Sequence, residues 1–571
     1  MNDKNNNIVS SYSEEIDTVF QLIKSGKTDG ISELSSLLEK YPDNLDIMGH
    51  LWTALAIKGE HQKAINILTR YKELQPENLE VQWRIGDRLV NLGKLDEALA
   101  TYKEVLREHP DCMDAKMGIR YVDYLMRNKP DEKEIYVPQK KNLSEKQEEN
   151  LHLNEKEFKK QKLTLKSLPP YFYLESTTKC NYYCRTCAKG YGPYYAEDLQ
   201  KDIFEKVQRE LMPANVKISI TGFGEPTLAS NFNEILRMTL DNGSKVQFVT
   251  NASLLNFKRI EKLTRYPVAI CLSIDGATKK TFEEIRAGSN FERICEKLAM
   301  IKKLRDIHLS ENLSQFSFHF VALKENIQEL PDVVQLAHRY RFSSVGVSDY
   351  AFIHKEFDVQ SLRYEPDIAN QYMKKAKKVA EELGIRLLLP PEYFINPLPT
   401  SRSSLWGKIK KTLKLFSKKN RFPHICYSPW QEPYIRTDGT VVPCCASGMY
   451  LGSLKKNSFE KIWNGWRYRW LRFRIQSFIP PIGCRNCNVT WGINGGNAGN
   501  VIVKEGLLVK AFYFCEYHSR RYGRKLRRFL RKLIYRLKGQ KIPEIKPNYY
   551  RGRPIVSQNK VGIAEEISHL I

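Results

Sequence analysis

The sequence predicts a multidomain chain of α and α/β parts: an N-terminal helical repeat, a partial (β/α)6 barrel, and a small cysteine-bearing C-terminal domain followed by a basic helix. Three observations predict it. Pro42, Pro76 and Pro110 recur with a 34-residue period, as do Gly59/Gly93 and Ala64/Ala98. Six short apolar runs then alternate with amphipathic stretches, the pattern of parallel β/α architecture. Nine of the twelve cysteines lie in or near two groups, one inside the alternating region and one after it.

The repeat comes first. "LAIKGEHQKAINILTRYKELQPEN" aligns with "LVNLGKLDEALATYKEVLREHPDC". Gly59 and Gly93 permit a tight turn between paired helices. Ala64 and Ala98 let those helices approach, and each proline ends a unit because it cannot continue a helix. The period and its landmarks resemble the tetratricopeptide repeat, over residues 8–128. Such an array implies a binding surface for peptide or protein, or a structural or dimerising role. Residues 129–166 are polar and highly charged and read as a partly helical linker.

The barrel is expected over 168–395. Its strands are "YFYLEST", "VKISITG", "KVQFVTN", "VAICLSID", "FSFHFVAL" and "SSVGVSDY". In parallel barrels the chemistry sits at the carboxyl ends of the strands. Cys180, Cys184 and Cys187, spaced C-x3-C-x2-C, follow the first strand directly. A closed zinc site wants four ligands, and no His or Cys follows nearby. Three thiolates on a four-iron cluster would instead leave one iron free to bind something else.

These motifs resemble the radical S-adenosylmethionine (radical SAM) superfamily. "TGFGEPTL" (221–228) is similar to its glycine-rich motif after the second strand, with Gly222, Gly224, Glu225 and Pro226 in place and Phe223 as a departure. The resemblance implies that Glu225 accepts from the methionine amino group. "VTNAS" (249–253) is similar to the end of the third strand, with Asn251 in place and Ala252 where relatives carry Gly. "LSIDG" (272–276) is similar to the ribose-contacting end of the fourth, implying Ser273 and Asp275 as polar partners. Arg286 stands where relatives place a carboxylate-binding arginine. A solvated helix-face arginine is the alternative. Thr186 replaces the usual apolar residue before the third cysteine. The implied cofactors are a 4Fe-4S cluster that binds S-adenosyl-L-methionine and that molecule itself. The implied activity is reductive cleavage to a 5′-deoxyadenosyl radical and hydrogen abstraction from a peptide or carbohydrate-type substrate. A small electron donor such as flavodoxin or ferredoxin is implied as partner. No general acid or base is assigned. Asp349 and Tyr350, after the sixth strand, are candidates to face substrate.

The small domain is expected over 420–500. "DGTVVPC" reads as part of a hairpin with an Asp-Gly turn. Its cysteines resemble the SPASM/Twitch extension of radical SAM enzymes. The shorter Twitch form would hold a second, auxiliary 4Fe-4S cluster through Cys426, Cys444, Cys484 and Cys487, with Cys445 as rival to Cys444. A zinc ribbon is the alternative. Cys112, Cys271, Cys295 and Cys515 read as core cysteines.

The net charge is +26. The connector 405–421 carries seven Lys or Arg and no acid, and "RRYGRKLRRFLRKLIYRLKGQK" (520–541) carries eleven and none. The tail region 503–541 reads as a basic amphipathic helix. An anionic membrane surface is the first expectation for it, ahead of packing on the barrel and of nucleic acid. No run of 18 apolar residues occurs, and "MNDKNNNIVSSYSEE" lacks the order of a secretory signal. A cytoplasmic protein, peripheral to the membrane through its tail, is expected. Against the enzyme stands a non-catalytic repeat scaffold with structural iron–sulfur or zinc sites. The open fourth position beside Cys180, Cys184 and Cys187 argues for the enzyme.

Overall fold

The computed structural model describes residues 30–128, 142–187, 189, 196–309, 314–350, 359–362, 365–390, 426–445, 447–475, 481, 484, 549–550 and 553–554. Cys487, Cys515, the connector 405–421 and the basic tail 520–541 lie outside them. Six helices open the chain: α1 (Ile31–Lys40), α2 (Leu45–Ile57), α3 (His61–Leu74), α4 (Leu79–Asn91), α5 (Leu95–Glu108) and α6 (Met113–Arg127). The period is visible in their ends. Asn44 and Asn78, one repeat apart, cap α2 and α4 by accepting from the backbone two and three residues on. Gly59 and Gly93 take the left-handed conformation (φ 81° and 73°) that turns one helix back on its partner. Ala64 and Ala98 are fully buried where the helices meet.

The repeats dock on the barrel through the first helices of successive units, α4 and α6. Their faces meet α12 (Phe291–Ile307). Asp87 and Lys303 form a fully buried ion pair at 2.8 Å, and Tyr102 donates to the same carboxylate at 2.6 Å. The Arg88 guanidinium donates to the Asp306 carbonyl. Lys302 pairs with Asp114 at 2.5 Å, and Arg341 with Glu80 at 2.6 Å. The Tyr121 hydroxyl meets His308 Nε2 at 3.1 Å. One hydrophobic core therefore runs from Trp83 and Tyr102 into the barrel.

Helix α7 (Glu145–Lys159) falls within the stretch expected as a linker, yet it is packed against the barrel. Gln147, Asn154 and Glu157 are buried and serve loop backbone: Asn154 donates to the Trp430 carbonyl at 2.8 Å, and Glu157 accepts from Lys166 and Ser167 N–H at 3.1 Å. A polar sequence reads as solvated, but here its polar atoms satisfy buried main chain.

Seven parallel strands follow: β1 (Tyr171–Leu174), β2 (Lys217–Ser219), β3 (Lys245–Thr250), β4 (Val268–Ser273), β5 (Gln315–Ala322), β6 (Ser344–Asp349) and β7 (Arg386–Leu388). Helices α8 (Lys201–Glu210), α9 (Phe232–Asp241), α10 (Phe257–Thr264), α11 (Lys279–Ile285), α12, α13 (Leu330–Arg339) and α14 (Pro366–Glu382) lie between them. This is the expected partly closed barrel with one more strand, β7, whose three residues are too short to show a period. On each strand one face is apolar and packed on helices, as with Phe316, Phe318 and Phe320. The other face looks into the lumen.

The chain returns after α14 as α15 (Ser428–Gln431), β8 (Tyr434–Ile435), β9 (Thr440–Val442), β10 (Gly452–Ser453), α16 (Phe459–Trp463) and α17 (Trp466–Ile475). β8 pairs parallel with β1, so the small domain extends the barrel sheet in the order β10-β9-β8-β1-β2-β3-β4-β5-β6-β7. The predicted Asp-Gly turn joins β8 to β9, with Gly439 at φ 76°. A separate pair, β11 (Tyr549–Tyr550) and β12 (Arg553–Pro554), is antiparallel. Among the described residues no helix is long and apolar enough to cross a membrane.

Candidate functional site

The loop after β1 carries Cys180, Cys184 and Cys187, and backbone pins it on two sides. Tyr183 N–H donates to Ala287 and Arg185 N–H to Ile285, both at 2.9 Å. Opposite, Glu225 N–H donates to the Lys179 carbonyl at 2.7 Å. Gly224 makes that approach feasible, since a Cβ there would collide with the carbonyls of Thr177 and Lys179. A Cβ on Gly222 would strike Glu175.

Glu225 is buried and joins two loops. Its Oε1 accepts from Thr227 N–H (3.2 Å), Thr227 Oγ1 (2.6 Å) and Thr250 Oγ1 (2.6 Å); its Oε2 accepts from Asn251 N–H (2.7 Å). Each carboxylate oxygen offers about two acceptor sites, and Oε2 takes one of these donors, so it keeps capacity for another. Pro226 starts the short turn that follows. Asn251 donates to Asn181 at 3.0 Å and lies 4.0 Å from Cys180 Sγ. Ala252 takes φ 63°, a left-handed conformation that strains a side-chain-bearing residue.

Arg286 is buried, not on a solvated helix face. It pairs with Asp275 at 2.8 Å and lies 3.8 Å from Cys184 Sγ. Burial opposes its charge, but Asp275 and Cys184 outweigh that and raise its pKa. Burial likewise pushes the Cys184 thiol up to about 11, against the pull of Arg286. Asp275 accepts from Val321 N–H at 2.8 Å as well, so this carboxylate, expected at a ribose, is engaged by protein at both oxygens. Ser273 lies on the same strand end, paired in register with His319. Tyr350 is buried against Ile285 and Leu323.

The three thiols fit a cluster. Cys184 feels the charge of Cys187 and Cys180, and Cys187 that of Cys180. Among the described residues no three His, Cys, Asp or Glu side chains converge closely enough for a single ion. Thiolates arranged around several irons need no such convergence.

The lumen below them is polar. Gln247 donates to Ser219 at 3.3 Å, Ser219 to Thr221 at 3.2 Å, and Ser348 meets His319 Nε2 at 2.9 Å. Cys271 is hydrogen-bonded to Ser317 on this face, so it lies apart from the apolar core expected for it. Burial lowers the pKa of the His319 ring.

At the seam with the small domain stands Glu175, which sequence reasoning missed. It is fully buried and accepts from Tyr434 OH (2.9 Å), Phe223 N–H (3.2 Å) and Thr437 N–H (3.3 Å). Burial raises its pKa. The only available signal was an acidic residue at a strand end. Because β8 runs parallel to β1 and β9 returns, Cys444 and Cys445 fall toward the amino end of β1. There they act on Tyr173, and Cys426 and Cys445 act on Tyr427. Cys444 is half-buried and Cys445 exposed. Cys426 and Cys484 pack against the core. The two cysteine groups thus bracket the lumen, one at each end of β1, with Tyr173 and Tyr434 stacked between them at 6.0 Å.

Comparison with known proteins agrees with this geometry. Residues 174–337 match the radical SAM superfamily, 426–488 the SPASM iron–sulfur cluster-binding domain, and 55–119 the tetratricopeptide repeat. The tungsten-containing aldehyde ferredoxin oxidoreductase cofactor-modifying protein of Pyrococcus furiosus is 24% identical over 343 residues, 56% of this chain and 87% of that one. The AdoMet-dependent heme synthase of Methanosarcina barkeri is 24% identical over 316 residues, 53% of this chain and 84% of that one. The PqqA peptide cyclase of Bradyrhizobium diazoefficiens is 22% identical over 240 residues, 40% of this chain and 60% of that one. The chain carries a radical SAM domain, a SPASM cluster-binding extension after it and tetratricopeptide repeats toward its amino end.

Proposed function

We propose that this chain is a radical SAM enzyme that modifies a peptide. The observation that carries the reading is the convergence of the Cys180–Cys187 loop, Glu225, Asn251 and the Asp275–Arg286 pair at the carboxyl end of one polar lumen. Cys180, Cys184 and Cys187 would hold a 4Fe-4S cluster. Loaded with S-adenosylmethionine, that cluster would supply the radical chemistry for hydrogen abstraction from carbon. Every other task belongs to the chain. Glu225 Oε2 would accept from the methionine ammonium, while Gly224 lets the Glu225 loop close on the cysteine loop and Gly222 leaves room for Glu175. Arg286, fixed by Asp275, presents positive charge to the carboxylate end. Ser273 contacts the ribose. Cys426, Cys444, Cys484 and Cys487 would hold an auxiliary 4Fe-4S cluster beyond the lumen, positioned to take an electron from a substrate radical. A small ferredoxin or flavodoxin would feed the first cluster.

The peptide class is supported by likeness to a peptide cyclase. A sugar-like substrate is the second reading, favoured by the neutral hydroxyl and amide groups of Ser219, Thr221, Gln247, Ser317 and Ser348 in the lumen. Anaerobic reconstitution should give about eight irons per chain and 5′-deoxyadenosine on reduction. Cys180, Cys184 and Cys187 changed together to Ala should abolish that product, and its persistence would refute the enzyme. A cell extract that stimulates turnover should lose the effect after protease treatment. Loss after periodate instead would make the substrate a polyol.

A further inference from the structure

Helix α17 carries large side chains on opposite faces. Its inner face, Tyr468, Leu471, Arg472 and Ile475, is buried. Arg472 anchors it, donating at 2.9 Å to the carbonyls of Pro429, Leu163 and Trp463 and stacking on the Trp463 ring. The outer face has Trp466 at 65% and Phe473 at 60% exposure, with half-buried Trp470 between them. Positions i, i+4 and i+7 place the three in one stripe about 10 Å long. A helix apolar on both faces is normally buried, and exposed aromatics of this size mark an interaction surface.

The flanks identify the occupant. Arg467 and Arg469 are exposed, and Arg474 lies over the Trp470 ring. The Arg467 guanidinium stacks on both Trp466 and Tyr450, at 4.9 and 5.2 Å. Trp466–Ile475 contains no acidic residue. The basic segments 405–421 and 520–541 have the same sign, so neither complements this face. A partner strand would need free backbone donors, which a helix does not present. A convex row of Trp, Trp and Phe with arginines beside it suits a flat boundary where apolar matter meets anionic headgroups.

We propose that the outer face of α17 docks the protein on an anionic phospholipid surface, with Trp466 and Phe473 entering the acyl boundary, Trp470 at its edge, and Arg467 and Arg469 at the phosphates. This is independent of the reading of the barrel.

The test uses the full-length protein and phosphatidylcholine vesicles, with and without phosphatidylglycerol, whose brominated acyl chains quench tryptophan. Quenching should appear on anionic vesicles, weaken in high salt, and vanish in W466F/W470F even if the basic tail still sediments the variant with lipid. W466S/F473S should partition at least about tenfold more weakly. The thermal melt of W466S/F473S should match the parent, because both altered groups lie on the outer face. The proposal falls if anionic vesicles give no quenching, if quenching is the same without phosphatidylglycerol, or if W466F/W470F retains it. A tryptophan response to a short oligonucleotide or an acidic peptide, with none to vesicles, would also overturn it.

Discussion

Gly224 shows how single atoms set the site. Its missing Cβ leaves room for the Thr177 and Lys179 carbonyls, so the cysteine loop and the Glu225 loop can share a hydrogen bond. A methyl group there has only backbone to push against. Gly224→Ala should therefore destabilise the protein by about 1–3 kcal/mol and lower the iron retained after reconstitution, read by thermal melting and iron assay. Glu175 makes a contrasting case. Glu175→Gln keeps the shape but turns an acceptor oxygen into a donor amide facing Tyr434, Phe223 or Thr437. Leaving one of them unsatisfied should cost about 1–3 kcal/mol, measured by denaturant unfolding. Glu225 was legible in the sequence and Glu175 was not. Glu225 sits in a motif of fixed local spacing, whereas the partners of Glu175 come from positions 48 and 259–262 residues away. Arg286 was ambiguous for the same reason: its burial depends on Asp275 and the Cys184 loop, which only the folded barrel brings to it.

Among the elements, the 34-residue period made the repeats readable, because each unit repeats its own cap, turn and small residue. The strand alternation did the same for the barrel. Docking between them left no such trace. Lys303 stands in the charged run "IKKLRD", yet it is fully buried on Asp87 and stacked over Trp83 at 4.2 Å. The faces of α4 and α6 that a repeat array would offer to a ligand are occupied by the barrel's own α12, so peptide binding by the repeats would have to use other surfaces. The buried pair gives a sharp expectation. Asp87→Ala strands an ammonium and a tyrosine hydroxyl and should cost about 3–5 kcal/mol. The double variant Asp87→Leu/Lys303→Met removes both charges and should lose clearly less, in a double-mutant cycle followed by urea unfolding. Equal losses would mean that the pair contributes no more than its packing volume.

Across the whole molecule, the seam between repeats and barrel holds a proton-sensitive group at its centre. His308 is buried, touches Tyr121, and faces the positive charges of Arg265 and Arg88. Burial first, and then those guanidiniums, lower its pKa to about 3. In the unfolded chain the ring has its ordinary value of about 6.5. Between these values the unfolded state binds a proton that the folded state refuses, so stability rises with pH across the window. The contribution is complete above pH 6.5 and is lost as the pH falls toward 3. Its steepest slope for one group is about 1.4 kcal/mol per pH unit. His319 in the lumen is shifted the same way by burial, so the total slope alone cannot identify the seam. His308→Gln can, because it keeps a polar partner for Tyr121 but does not titrate. Melting temperature should drop between pH 7 and pH 5 in the parent and drop less in His308→Gln. Limited proteolysis at pH 5 should release the repeats from the barrel sooner in the parent than in the variant. Parallel slopes for the two proteins would place the acid sensitivity elsewhere, with His319→Gln as the next residue to measure.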